Sequence, residues 1–326
     1  MSQELPFDPF SFIEGPHKQT ILGAFCSFVS EPLSVQKFIL LPDGDRLSLE
    51  ITTPEGWKST DPTVVMVHGL CGSHKSPYLV RFAKRLESMG IRAVRCNLRN
   101  CGSGFGHAKH MYHCGRSEDI FECIKVLKKE TPESPFVLAG FSLGGNIVLK
   151  LAGELGSSGS AFLAGVISVS PPVELYSSVV MLGKEENSLY ENYFYKLLRE
   201  DVHYRHNKYK DLPRIRLPKG LKLYEFDQIY TAPISGFKSA FDYYDKCSAA
   251  NVVEDIGVPC HILLSEDDPI ISSSSLDKFS LPSYVTVFKT KKGGHLGYLG
   301  KSEDGKGYYW LDSKLTDWVK GFVGLS

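Results

Sequence analysis

Residues 137 to 147 read VLAGFSLGGNI, with Ser142 at the centre of Gly140-Phe141-Ser142-Leu143-Gly144. The pattern is G-x-S-x-G, the spacing of a nucleophile elbow, in which a buried strand runs into a tight turn and directly into a helix. Both flanks meet that demand. Phe136 to Ala139 is a short apolar run suited to a strand covered on both faces, and Leu143 to Leu155 continues with helix-compatible residues. Side chains at 140 and 144 would collide across the turn, and Gly145 leaves room for the helix to approach the sheet. Three fixed positions in five also arise by chance in glycine-rich strand-to-helix turns, so the rest of the chain has to decide.

Working outward, Val35 to Thr52 alternates apolar and polar residues around Pro42-Asp43-Gly44-Asp45 and reads as a hairpin. Thr63 to Val67 is a continuous apolar run ending in His68-Gly69, and Ile91 to Cys96 is another. The segment between them has helical signals: Ser76 as N-cap, Pro77 at the first helical position, an apolar stripe of Tyr78, Phe82, Leu86 and Met89, and Gly90 as terminator. Strand runs recur at Phe136–Ala139, Phe162–Val169, His261–Leu264 and Val285–Phe288, with a last helix near Leu311 to Phe322. The alternation predicts an α/β fold with a mostly parallel central sheet and helices on both faces. From Ser170 to about Ala250 the rhythm breaks into an aromatic-rich stretch of helical periodicity. Residues 171–250 are therefore expected to form an inserted helical cap, with 1–170 and 251–326 as the core.

Composition narrows the partners. The 326 residues are 42% hydrophobic and carry 37 basic and 37 acidic side chains, a balance that argues against nucleic acid as the main partner. No apolar run reaches the roughly 18 residues that cross a bilayer, the stretch 21–29 being about half that. The opening MSQELPFDPF lacks a basic n-region, so no signal peptide is expected. Eight cysteines without paired spacing suit a reducing, cytoplasmic setting.

A serine hydroxyl at its ordinary pKa needs a base within hydrogen-bond reach and an acid that orients the base. The acid should follow a later strand, and Glu266-Asp267-Asp268-Pro269 follows His261–Ser265. Asp268 is the first candidate, because a residue before proline is held extended, and Asp267 is the second. The base should lie past the next strand, where Gly293-Gly294-His295-Leu296 aims His295 from a sharp turn. Ser142, Asp268 and His295 then stand in the chain order Ser-Asp-His expected of this elbow. The developing oxyanion needs backbone donors: the Leu143 N–H at the helix start, and a second on His68-Gly69-Leu70-Cys71-Gly72, where Leu70 is the candidate. His68 reads as loop support and Cys71 as a packed residue. His107, His110 and His113, with Cys101 and Cys114 nearby, match no zinc spacing, and Gly102-Ser-Gly104-Phe-Gly106 lacks the lysine and the following helix of a nucleotide loop. No metal or cofactor is expected, and 102–106 reads as a mobile loop beside the site.

With these residues in place the chain resembles the YheT-like α/β hydrolases, a group that includes eukaryotic α/β-hydrolase-domain lipases and fungal ester synthases. The resemblance rests on Gly15-Pro16-His17-Lys18-Gln19-Thr20, His68-Gly69-Leu70, Asn97-Leu98-Arg99-Asn100-Cys101-Gly102, Tyr112-His113-Cys114-Gly115, Gly140 to Asn146, Phe226-Asp227 with Thr231-Ala232-Pro233, Asp267-Asp268-Pro269 and Gly293 to Gly297. It implies an α/β-hydrolase fold and a catalytic triad at Ser142, Asp268 and His295. Two positions depart from the family pattern: Asn100 stands where glycine is usual, and Lys18 replaces an apolar residue. The membrane anchor of some eukaryotic members is not seen, so a soluble protein is expected. The resemblance leaves three readings: a serine esterase or lipase, an acyl-alcohol acyltransferase working through the same acyl-enzyme, or a non-catalytic binding protein. The first is preferred, with a small-molecule ester or lipid-like acyl substrate. Neither the oligomeric state nor the physiological substrate is legible.

Overall fold

The computed structural model describes residues 2–25, 29–303, 305 and 307–325; Cys26, and with it part of the apolar stretch 21–29, lies outside them. The strands are β1 (Gln3–Glu4), β2 (Val35–Leu40), β3 (Arg46–Thr52), β4 (Thr63–Val67), β5 (Arg92–Asn97), β6 (Phe136–Phe141), β7 (Gly165–Val169), β8 (Cys260–Ser265) and β9 (Val285–Thr290). They form one sheet in the order β1-β9-β8-β7-β6-β4-β5-β3-β2. β3 is antiparallel to β2 and β5, while every other pairing is parallel. The hairpin at Asp43-Gly44 forms as expected, with Gly44 at φ +87°.

The helices are α1 (Pro16–Phe25), α2 (Pro77–Ser88), α3 (Ser117–Glu130), α4 (Leu143–Leu155), α5 (Leu175–Leu182), α6 (Ser188–Lys208), α7 (Leu223–Phe226), α8 (Ala232–Ile234), α9 (Ala240–Cys247) and α10 (Trp310–Val323). The central strands are buried on both faces, so successive residues feed different cores. Val65 and Val67 of β4 pack with Ile120 and Leu127 of α3 and Ile147 and Leu151 of α4. Their neighbours Val64 and Met66 pack on the opposite face with Leu79 and Phe82 of α2 and Leu311 and Leu315 of α10. Pro77 opens α2 as predicted, but Ser76 makes no side-chain cap; its Oγ instead accepts from Ser73 N at 3.1 Å, tightening the preceding turn.

Between β7 and β8 the chain runs through α5 to α9. These helices carry a small core of their own, Leu175, Ala232, Ala240, Tyr243, Tyr244 and Cys247. Many aromatics of this stretch pack on one another: Tyr176 contacts the rings of Tyr224, Phe241 and Tyr244. Among the described residues no helix is long and apolar enough to cross a membrane, and all seven described cysteines are free.

The loop 102–106 departs from expectation. Rather than hanging free, it is tied down: Ser103 Oγ bonds Ser48 Oγ and Glu50, and Asn100 Oδ1 accepts from Gly106 N. Asn100 adopts φ +60°, the left-handed region, which explains the glycine usual in the family; asparagine is among the residues that tolerate it best. Lys18 is exposed on α1, so its polarity costs nothing in packing.

Candidate active site

The elbow forms as its sequence demands. β6 ends at Phe141, Ser142 sits at φ +52°, ψ −121°, and α4 starts at Leu143. A side chain at 140 would run into Gly144 O, one at 144 into Val67 O, and a Cβ at 145 would lie 2.7 Å from Ser168 Oγ. The glycines thus let α4 sit against the sheet while Ser142 N, donating to Val169 O at 2.8 Å, holds the turn. Strain of this kind, of order 1–3 kcal/mol per residue, persists where the surroundings over-determine the backbone.

The loops after β8 and β9 bring the other two residues to it. His295 Nε2 lies 2.8 Å from Ser142 Oγ, and His295 Nδ1 lies 2.8 Å from Asp268 Oδ2. The second carboxylate oxygen of Asp268 accepts from Ile270 N and Ile271 N at 2.9 and 3.0 Å, which fixes the carboxylate plane. The pattern is self-consistent for one tautomer: Nδ1–H donates to Asp268, and Nε2 is open to the serine proton. Asp267, the second candidate for the acid, faces elsewhere. Its Oδ1 accepts from Ser265 Oγ at 2.6 Å and Gly294 N at 2.8 Å, pinning the turn ahead of His295.

On the loop after β4, Gly69 N donates to Tyr78 OH, Cys71 N to Tyr112 OH and Gly72 N to Gly69 O. Leu70 lines the cavity beside Ser142 and Leu143. His68 is fully buried; its Nδ1 bonds Gly69 O, its Nε2 accepts from Leu98 N, and burial pushes its pKa down to about 4, so it braces the loop as a neutral ring. Burial pushes the Cys71 thiol up to about 12, leaving it no nucleophilic character at neutral pH. The three histidines of 107–113 diverge. His107 packs on Phe38, His110 Nδ1 bonds Asp45, and His113 is buried against Phe237 and Tyr243, with its pKa lowered to about 3 by burial. Asp43, Asp45 and His110 do approach one another. The Arg99 guanidinium already bridges those two carboxylates.

Two cavities meet at Ser142 and His295. The inner one, about 100 Å³, lies under the α5–α9 stretch and is walled by Leu175, Val179, Leu182, Leu198, Leu223 and Phe226. The outer one, about 410 Å³, opens between α1, the loop before α2 and the start of α6, with Ile21, Ala24, Tyr190 and Tyr193 on its sides. The inner wall is largely apolar and mostly aliphatic.

A sheet in this order with a serine on the turn after β6 narrows the family, and comparison with known proteins decides it. Residues 58–283, more than half of the chain, match the Hydrolase_4 family, described as serine aminopeptidase, S33. The chain belongs to this family. It is an α/β hydrolase of the serine class. It is similar to YheT of Escherichia coli (strain K12), 28% identical over 326 residues that cover 99% of this chain and 95% of that one. It is also similar to phospholipase ABHD3 of Homo sapiens, 27% identical over 290 residues, 86% of this chain and 70% of that one. Among solved structures, the Pyrococcus furiosus esterase Pf2001 superposes with a TM-score of 0.57 over 98% of each chain at 15% identity, a likeness of fold.

Sequence reading missed how the His295 loop is held. Thr20 Oγ1, on α1, accepts from His295 N at 2.9 Å while donating to Pro16 O. Gln19 is fully buried; its amide donates to Ile13 O and Leu299 O and accepts from Leu299 N. The motif at 15–20 is therefore a clasp on the histidine loop, and close approach explains two of that loop's glycines, since a Cβ on Gly294 or Gly297 would strike α1 backbone. Thr20→Val is expected to lower kcat by about 10- to 100-fold through misplacement of the ring, with Thr20→Ser restoring most of it. Steady-state kinetics on the two variants checks this.

Proposed function

We propose that the chain hydrolyses carboxylic esters through an acyl-enzyme on Ser142, with His295 as base and Asp268 as its orienting acid. The observation that carries the reading is the unbroken run of 2.8 Å contacts from Asp268 through His295 to Ser142 at the junction of two cavities. In it, Ser142 Oγ attacks the ester carbonyl carbon while its proton passes to His295 Nε2. Asp268 stabilises the resulting imidazolium. The N–H groups of Leu70 and Leu143 receive the oxyanion; Leu70 is chosen because Gly69, Cys71 and Gly72 have spent their N–H groups within the protein. The imidazolium then protonates the departing alkoxide, leaving an ester on Ser142, and water activated by His295 releases the acid.

Residues 171–250 act in this reading as a cap over the acyl portion, and 1–170 with 251–326 as the core. The described thiols, all free, fit the cytoplasm. The phospholipase relative named above points to the same lipid-like ester chemistry. The aliphatic inner wall favours hydrocarbon, each methylene moved out of water adding about 0.8 kcal/mol until the cavity ends. For p-nitrophenyl esters of two to twelve carbons, kcat/KM is expected to rise from acetate, pass through a maximum and fall. A steady decline from acetate onward overturns the assignment of the inner cavity to the acyl chain.

A further inference from the structure

The inner cavity has one carboxylate on its wall that the mechanism leaves unused, Asp227. It opens a π-helical turn, Asp227–Thr231, wedged between α7 and α8, and irregular turns of this kind recur at functional sites. Tyr244 OH, on α9, donates to its Oδ2 at 2.6 Å, and the Thr231 hydroxyl also stabilises its charged form. Tyr243 and Cys114 complete its electrostatic surroundings, and the charge on Asp227 works against the ionisation of both. None of these neighbours is a cation. A half-buried carboxylate on a cavity wall shared with Leu175, Leu223 and Phe226, with no cation among the neighbours just named, is a costly way to hold a tyrosine, which a neutral asparagine would hold as well. Its cost makes sense if it meets substrate.

Resting on the reading of Ser142 as nucleophile and the inner cavity as acyl site, we propose that Asp227 determines specificity by accepting a hydrogen bond from a hydroxyl group carried on the acyl chain. The preferred esters are then those of hydroxy-acids, the hydrocarbon of the chain lying on the aliphatic wall and its hydroxyl on the carboxylate. Burial pushes Asp227 up to about 6. As pH rises through that value the carboxylate becomes a stronger acceptor and a worse neighbour for a methylene, so the preference for the hydroxylated chain grows. His113, on the same cavity, stays neutral throughout this range.

The test compares p-nitrophenyl hexanoate with its 3-hydroxy and 6-hydroxy forms on the full chain between pH 5 and 8. The ratio of kcat/KM values at each pH cancels both any pH dependence common to the two esters and the fraction of active enzyme. One hydroxylated ester is expected to be preferred by about ten-fold at pH 7.5, and by less at pH 5. Asp227→Asn should shrink that preference and make it independent of pH, and Asp227→Leu should abolish it. Fluorophosphonate labelling of Ser142 shows that each variant retains a formed site. Ratios at or below one for both hydroxy-esters, or ratios unchanged in both variants, overturn the proposal. Full turnover by Ser142→Ala instead overturns the reading beneath it.

Discussion

Ser142→Ala lowers ester turnover by about 10⁴-fold or more and removes labelling by a fluorophosphonate probe. The expectation follows from geometry rather than from the motif alone. Ser142 is held at φ +52° with its Oγ 2.8 Å from His295 Nε2, on a ring oriented by the contact of its Nδ1 with Asp268. Cys71, on the loop after β4, has a thiol pushed up to about 12 by burial and cannot substitute. Removing a single oxygen atom leaves the elbow intact, because the turn is held by Ser142 N on Val169 O and by the glycines around it. An unchanged thermal midpoint beside the loss of turnover separates chemistry from folding.

Asp268→Asn lowers kcat on the order of 10⁴-fold, while Asp267→Asn costs less than about ten-fold. The two residues are adjacent and chemically identical, and their different contacts decide the ranking. Asp268 accepts from His295 Nδ1 with one oxygen and from two main-chain N–H groups with the other. An amide in its place cannot stabilise the imidazolium and can present its NH₂ to the ring, selecting the tautomer whose Nε2 carries the proton already. Asp267 uses one oxygen as an acceptor for Ser265 Oγ and Gly294 N, and an asparagine carbonyl accepts equally well. Steady-state kinetics at neutral pH gives the ranking, and the reverse order would move the acid by one residue.

The elbow was legible because its requirements are local. Gly140, Ser142, Gly144 and Gly145 lie within six residues, and each answers a clash or a torsion set by its immediate neighbours. The run of central strands along the chain was legible for the same reason, since strands buried on both faces read as unbroken apolar runs; their order in the sheet was not. The clasp of α1 on the histidine loop was not. Thr20 and His295 are 275 positions apart, and a threonine and a glutamine on a short helix carry no local mark of what they touch. Nor could the sequence separate aromatics that line a cavity from those that pack on each other. Phe194, Phe226, Tyr243 and Tyr244 reach the inner cavity, whereas Tyr176 packs on Tyr224, Phe241 and the back of Tyr244 without lining that cavity. Helical periodicity tells which face a residue is on, and the facing element tells what it does there. The loop 102–106 erred in the other direction: its glycines suggested freedom, but the Gly102 backbone is pressed against Asn97 and Ser103 is tied to Ser48 and Glu50.

The central claim is that Ser142 carries the acyl group, and trapping the intermediate tests it most directly. Acid quenching of the protein during turnover of a p-nitrophenyl ester, followed by proteolysis and mass spectrometry, is predicted to find the acyl mass on the peptide containing Ser142. With His295→Ala that adduct should fail to form. An acyl group on any other residue, or sustained turnover by Ser142→Ala, would contradict the account.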